Sequence, residues 1–534
     1  MSKVIEQPTR PFIPYSLCIL LFVCVWLQVF IARNATLDTI LLQILGSCMA
    51  AALGLWYVKY AHTSLMTVGV VLLSLVIIFI RSSFIYVSQM ASVDLLESTA
   101  IHDFELVVSR DLVYKNHAWT GQANVMYQGR CIGSVGLHAK EPFLRETHLC
   151  CEGRFTHYKD KEFSEEQFKR GVLGSIQITK VNSKTYGEGI IGEVVQFREN
   201  CISQLQPEQS FGRALVACGL CAYRPSLYSF NIPRIFMRCG LIHLIAISSC
   251  HMVILSTFID AFLKKLTIKP LLRGVVNLFL LSSYALFCGL PASAMRAILL
   301  VEQKYVMQCV GRKNHTLSAV SIVALFMLCI DPQLSVNIAF TLSLACIFGM
   351  NIYGGLAQYY AKSAFHISGY GTIQKILKKP FSDVRNTMCA TTVAQLSCLP
   401  ISCMYFGHFS LLAPLSSALI TSLFSLLSLF GIGAIALCWF KPAQDVVFCL
   451  VDFLGQFIET LTSFLSERSF ASVSLTDMSW IVSLLVFAAM VALYVFWPKG
   501  KRVVLSGICL MVFVLILGLS IYWRFFSPTR ICVM

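Results

Sequence analysis

This chain has little charge. Only 13% of its 534 residues are Asp, Glu, Lys or Arg, about half the share typical of a soluble domain. Acidic side chains are the scarcer, 27 against 42 basic ones, which leaves a net charge of +15. No Gly-x-x-x-x-Gly-Lys-Ser/Thr loop occurs, so there is no sign of a nucleotide-driven motor, and no His-Glu-x-x-His, so no zincin site. The one Cys-x-x-Cys, Cys218-Gly-Leu-Cys221, has no second copy with which to hold zinc.

Apolar residues make up 57% of the chain, and mean hydropathy is +0.72. That composition reads as a polytopic α-helical membrane protein. Apolar runs at 12–32, 38–58 and 64–80 predict three spans, the first an uncleaved anchor behind Lys3 and Arg10. Further spans are predicted near 239–262, 271–289, 292–310, 316–330, 333–354, 387–408, 411–440, 478–497 and 503–523. Lysine and arginine cluster at Lys264, Lys265 and Lys269, at Lys304, Arg312 and Lys313, and at Lys375, Lys378, Lys379 and Arg385. In this layout all three clusters fall on one side, the cytoplasmic one by the positive-inside rule. The Gly289-Leu-Pro291 and Asp331-Pro332 turns fall on the other. Lys499, Lys501 and Arg502 fit that rule only with one more crossing between 411 and 477. Either 411–440 breaks in two or Val446–Leu465 spans, although Asp452 and Glu459 give the latter an amphipathic look. The expected total is 12 or 13 spans.

Residues 101–200 differ in character. They hold 13 basic and 13 acidic side chains, so the charge excess lies in the membrane part. Period-two patterns at Phe104–Val108, Ala123–Tyr127, Ile132–Leu137, Ile176–Val181 and Ile190–Phe197 predict five or six strands. Ser164-Glu-Glu-Gln167 reads as a capping box opening a short helix. Such a block is the size of an OB-like barrel. Trp119, Tyr127, Phe155 and Tyr158 are its candidates for stacking on bases, weighed against a core role. Cys131, Cys150, Cys151 and Cys201 offer one disulfide of unspecified pairing if the block lies outside the cytoplasm. The domain layout is therefore 1–99 with three spans, 100–200 the β domain, 201–234 an interfacial helical linker, 235–440 the core and 441–534 the last two or three spans.

Polar groups inside apolar runs mark function, because hydrocarbon penalises them. His243, Ser248, Ser249 and His251 share one such run. The two histidines lie about 80° and ~12 Å apart on an ideal helix, too far to chelate one metal. Ser248 and His251, three residues apart, could instead meet as a nucleophile and base. Arg296 stands about one turn inside a predicted span, where its competing role is a structural ion pair.

Four segments carry a resemblance. Gly240-Leu-Ile-His243-Leu-Ile-Ala246-Ile-Ser248-Ser-Cys-His251 is similar to the Gly-x-x-His-Leu-Leu-Ala-Ile-Ser-Gly-Leu-His pattern of the ComEC-type competence family, departing at Ser249 and Cys250. Gly289-Leu-Pro291-Ala-Ser293-Ala-Met-Arg296-Ala297 resembles that family's Gly-Leu-Pro-Pro-Ser-x-x-Arg-Ala. Asp331-Pro332 followed by Phe340-Thr341-Leu-Ser343-Leu is similar to its Asp-Pro and Phe-Gln-Leu-Ser-Phe elements, with Thr341 for Gln. Tyr405-Phe-Gly407-His408-Phe-Ser410 resembles its Phe-Gly-x-x-Ser. The chain resembles a short form, since the His-x-His-x-Asp-His motif of the family's metallo-β-lactamase-like domain is missing, and no nuclease activity is carried over.

The resemblance implies an inner-membrane channel, not an enzyme, that passes single-stranded DNA into the cytoplasm during natural transformation, with no cofactor or metal. Implied partners are the DNA strand, the bilayer, a DNA-binding receptor and a cytoplasmic DNA-translocating ATPase. A polyanion needs a wet, partly basic path, and the candidate lining is His243, Ser248, Ser249, His251, Ser293, Arg296, Thr341, Ser343, Gln395 and His408. Two alternatives stand beside it: a permease for a smaller anion such as a nucleotide, and a membrane-embedded hydrolase using Ser248 and His251.

Overall fold

The computed structural model describes residues 65–98, 103–115, 118–156, 167–168, 171–186, 189–245, 249–311, 316–364, 372–406, 408–437, 439–468, 472–474, 486 and 489–490. The expected spans at 12–32, 38–58 and 503–523, that at 478–497 apart from 486 and 489–490, the capping box at 164–166 and Tyr158 lie outside the described residues.

Helix α1 (Leu65–Ser98) continues the expected third span and leads into five strands: β1 (Asp103–Lys115), β2 (Ala118–Tyr127), β3 (Arg130–Ala139), β4 (Thr147–Thr156) and β5 (Val172–Tyr186). They close into a barrel in the order β1-β2-β3-β5-β4, with β3 and β5 parallel and every other pair antiparallel. The alternation works as expected: Leu106 opposite Val125, and Ala123 opposite Val135, point into a core shared with Leu137, Leu149 and Ile176. Trp119 and Phe155 pack against that core, whereas Tyr127 is exposed. The four candidate cysteines are all free thiols, so none forms the expected disulfide. Cys151 is inward-facing, and burial beside Cys150 and Asp103 pushes its thiol up to about 12, which keeps it unreactive.

The pattern at Ile190–Phe197 predicts a strand but is helical. Helix α2 (Ile190–Leu205) buries Val195, Arg198, Cys201, Ile202 and Leu205, a three-to-four spacing. Helix α3 (Phe211–Cys221) starts at an N-cap, Ser210 Oγ accepting from the Arg213 backbone N–H, and buries nearly its whole length. Short helices α4 (Pro225–Ser229), α5 (Ile232–Cys239) and α6 (Ile242–Ile245) follow. Gly240 ends α5 in the left-handed region at φ 71°, so the expected single helix over 239–262 is not formed. The long helix begins later, as α7 (Ser249–Lys265). Next come α8 (Pro270–Cys288), α9 (Ala292–Cys309), α10 (Thr316–Ile330), a 3-10 turn (Pro332–Val336), α11 (Ile338–Ala364), α12 (Thr372–Phe406), α13 (Ala413–Ala436) and α14 (Lys441–Ser466). Strands β6 (His408–Ser410) and β7 (Ser472–Ser474) form a small antiparallel pair.

The chain is a polytopic helical membrane protein with an inserted β domain. Among the described residues four helices have the length and composition to cross a bilayer: α8, α11 over Ile338–Tyr359, α13 and α14. Their outward faces carry large apolar side chains such as Phe279 (70% exposed) and Phe453 (70%), as lipid contact requires. Helix α13 is continuous past Gly431. The carboxylate of Asp452 is neutralised by Arg213 of α3, whose Nε and Nη2 reach its two oxygens at 2.9 and 2.8 Å. The same guanidinium lies over the Phe448 ring, 4.2 Å from its centroid.

Small residues let these helices touch. Gly212 of α3 and Gly455 of α14 face each other backbone to backbone, and a Cβ on either would collide with the other helix. Gly455→Val is expected to cost about 3 kcal/mol, the upper range for overpacking, and thermal unfolding in detergent measures it. A melting curve equal to wild type would mean the crossing has slack.

Candidate functional site

The four motif segments, read separately from sequence, meet in pairs. Motif one touches motif four. Gly240 lies where a Cβ would strike Ala413 at the start of α13. Ser410 Oγ donates to the Arg238 carbonyl at 2.9 Å, and Ser416 Oγ to the Cys239 carbonyl at 2.6 Å. These bonds satisfy carbonyls that the end of α5 leaves open. Gln395 of α12 joins the cluster, its Nε2 donating to the Ser410 carbonyl at 3.4 Å.

Motif two touches motif three. Arg296 of α9 is 0% exposed, and its Nη2 donates to Ser343 Oγ on α11. Arg296 stands about 6 Å above the start of α9. Thr341, also buried, spends its hydroxyl on the Ile338 carbonyl at 3.0 Å, within its own helix. Ser293 is half-buried in the first turn of α9. His243 is exposed on α6, well apart in character from the buried Arg296. Ser248 lies outside the described residues. Ser249 and His251 open α7, and His408 opens β6, but only their backbones are described.

Two further contacts were not legible in the sequence. The turn of motif two seats the barrel: Gly289, left-handed at φ 94°, faces the guanidinium of Arg145, which reaches the Leu286 carbonyl at 3.5 Å. A cation at a helix C-terminus is favourable. The turn of motif three does the same just before β5, where a Cβ on Gly171 would lie 2.9 Å from Gln333 Oε1. Asp331 Oδ1 holds that turn by accepting from the Gln333 N–H at 3.0 Å. Helix α1 braces both parts. Its Ser92 donates to the Ile132 carbonyl of β3 at 2.9 Å, and its Arg81 to the Ile330 carbonyl at 2.6 Å. The barrel thus rests on the two turns that sequence parity sets opposite the lysine clusters, a helix length (~27 Å for α8) from Lys269.

A buried ion pair fixes the barrel to the helices. Arg198 of α2 grips Asp111 of β1 through Nη1 at 3.1 Å and Nη2 at 2.5 Å, with side chains 2% and 6% exposed. Its Nε donates to the Cys221 carbonyl at 2.7 Å. Asp111 also accepts the Arg145 backbone N–H at 3.0 Å. No group of three or more His, Cys, Asp or Glu side chains among the described residues is arranged to hold a metal.

Comparison with known proteins fits this geometry. The ComE operon protein 3 of Bacillus subtilis (strain 168) is 20% identical over 363 residues, which is 66% of this chain and 44% of the relative. The chain therefore spans less than half the length of that curated relative. No solved structure matches. Residues 226–500, just over half the chain and all four motifs, match the family described as Competence protein, and the chain belongs to that family.

Proposed function

We propose that this protein is an inner-membrane channel that passes single-stranded DNA into the cytoplasm during natural transformation. The observation that carries the reading is the contact between Arg296 and Ser343, where two motifs of the competence family meet inside the helical bundle. A guanidinium held at 0% exposure among the helices of a membrane protein is costly, which supports reading it as a functional group. The arginine is enclosed, and on this reading that is the closed state of the path. Parting α9 from α11 frees the fork of Arg296 to receive phosphate oxygens, which it fits in pairs.

The barrel is read as an OB-type module on the extracytoplasmic side. Its strand order and its parallel β3–β5 pair support this, as does its seat on the turns opposite the lysine clusters. Pulling force would come from a separate ATPase, and capture of DNA from a separate receptor. No covalent chemistry is assigned to the chain.

The test is uptake of labelled duplex DNA by a deletion strain with and without this gene. Expected is nuclease-resistant label in the cytoplasm only when the gene is present, with external binding in both strains. Normal transformation in the deletion strain would overturn the channel and favour a permease for a smaller anion.

A further inference from the structure

The geometry points to a second polar site in the helical region, a proton-binding site made by Glu302 of α9 and Asn277 of α8. Helices α8 and α9 run antiparallel from the Gly289–Pro291 turn and come close because Gly274 has no side chain. A Cβ there would lie 3.1 Å from Tyr305 Cβ and 3.7 Å from Glu302 Oε2. One turn further along the same face of α8 stands Asn277, 0% exposed, whose Nδ2 donates to the Tyr305 hydroxyl at 2.9 Å. Glu302 is one turn from Tyr305 on the facing helix. Each helix therefore carries a buried oxygen beside the seam where the two meet. Asn277 Oδ1 and Glu302 Oε1 are each buried, and neither has a hydrogen-bond partner among the described residues.

Two orphaned acceptors on helices that meet at Gly274 and Tyr305 are costly where water is scarce. A single proton remedies both. It turns the Glu302 carboxyl into a donor, and Asn277 Oδ1 is the acceptor on the facing helix. The charged groups nearby are already committed. Asp260 of α7 takes Arg273 Nη1 at 2.8 Å and Lys264 Nζ at 2.7 Å, and Tyr305 hydrogen-bonds to it as well. Lys304 is exposed on the other side of α9. Neither α10 nor the part of α11 over Ile338–Tyr359 carries a charged residue. Among the described residues, Arg273 Nε, itself buried without an acceptor, is the cation that could compete for Glu302. Glu302 lies six residues beyond Arg296 on α9, about 9 Å along the axis, so a proton gained or lost there acts on the helix that carries the arginine. Coupling of that proton to strand passage rests on the channel reading, but the binding itself does not.

The hydrophobic reagent dicyclohexylcarbodiimide tests the site, because it adds to protonated carboxyls in apolar surroundings and leaves a stable N-acylurea. Membranes holding the full chain would be treated at about pH 6 and about pH 9, and labelled peptides mapped by mass spectrometry. Expected is modification of Glu302 at the lower pH, falling roughly tenfold per unit above its midpoint, with Asp260 unmodified. Absence of label on Glu302 at the lower pH, as an ion pair with Arg273 would give, overturns the proposal. So does equal labelling by a water-soluble carbodiimide, which would place the carboxyl in water. In cells, Glu302→Gln is expected to remove the pH dependence of DNA uptake. A Glu302→Gln profile identical to wild type overturns the coupling and leaves the channel standing. Wild-type complementation that restores no uptake overturns the channel and leaves the proton site to the labelling result.

Discussion

Arg198→Met is expected to cost about 3–5 kcal/mol and to detach the barrel before the helices unfold. Removing one partner of a buried pair strands the other charge in a dry environment. Asp111, 6% exposed, would lose both guanidinium bonds, and the Cys221 carbonyl would lose its donor. The damage would spread, because the same carboxylate holds the loop of Arg145, whose guanidinium sits against Gly289. Limited proteolysis is the direct readout: strands β1 to β5 should become cleavable while the helical bundle resists. Replacing both partners, Arg198→Met with Asp111→Leu, should recover most of the loss, since an apolar pair of similar volume carries no desolvation cost. A single variant that resists protease like wild type would show that the barrel is held by its apolar contacts alone.

Why the sequence disclosed some of this fold and hid the rest follows from where each signal sits. Strands β1, β2, β3 and β5 were visible because their inward positions are apolar and alternate. Strand β4 was not, because its inward set includes Thr147 and Gly153 beside Leu149 and Cys151. Two of those four carry no hydrophobic signal. The window Ile190–Phe197 reads as a strand because, of the buried positions described in α2, it holds Val195 alone; the helical spacing shows only with Arg198, Cys201, Ile202 and Leu205 beyond it. Membrane helices showed the converse. Helix α10 coincides with its predicted span, since Asp331-Pro332 stops it in a way the sequence states openly. The run over 239–262 is apolar enough on average to read as one span, and hydropathy cannot see that Gly240 turns the backbone out of the helix.

The candidate site was legible as residues but not as contacts. Arg296 and Ser343 were both singled out, yet nothing local couples positions 47 apart. Asp452 made α14 look amphipathic because its partners, Arg213 and Ser210, are about 240 residues away. The seats of the barrel on Gly289 and Gln333 were equally hidden. A turn glycine announces its backbone conformation but not which guanidinium fills the space above it.

Arg296→Met should lower the entry of labelled DNA into the cytoplasm by roughly 10–100-fold, the equivalent of losing about 1.5–3 kcal/mol from a charge-assisted hydrogen bond. Methionine keeps much of the volume at a fully buried position, so protein level and melting temperature should stay near wild type. Binding of DNA outside the cell should be unchanged, because the substitution lies below the barrel. Arg296→Lys keeps the charge but not the planar fork, so a smaller loss is expected, nearer tenfold. Ser343→Ala discriminates further. If the serine merely holds the arginine closed, removing its hydroxyl loosens that hold, and uptake should rise or stay level while Arg296→Met falls. If the two act as one structural clamp, both variants should lose stability together and uptake should follow protein abundance. Arg296→Met at normal abundance with wild-type uptake would leave the guanidinium no role in passage, and the polar pathway would have to be sought elsewhere in the bundle.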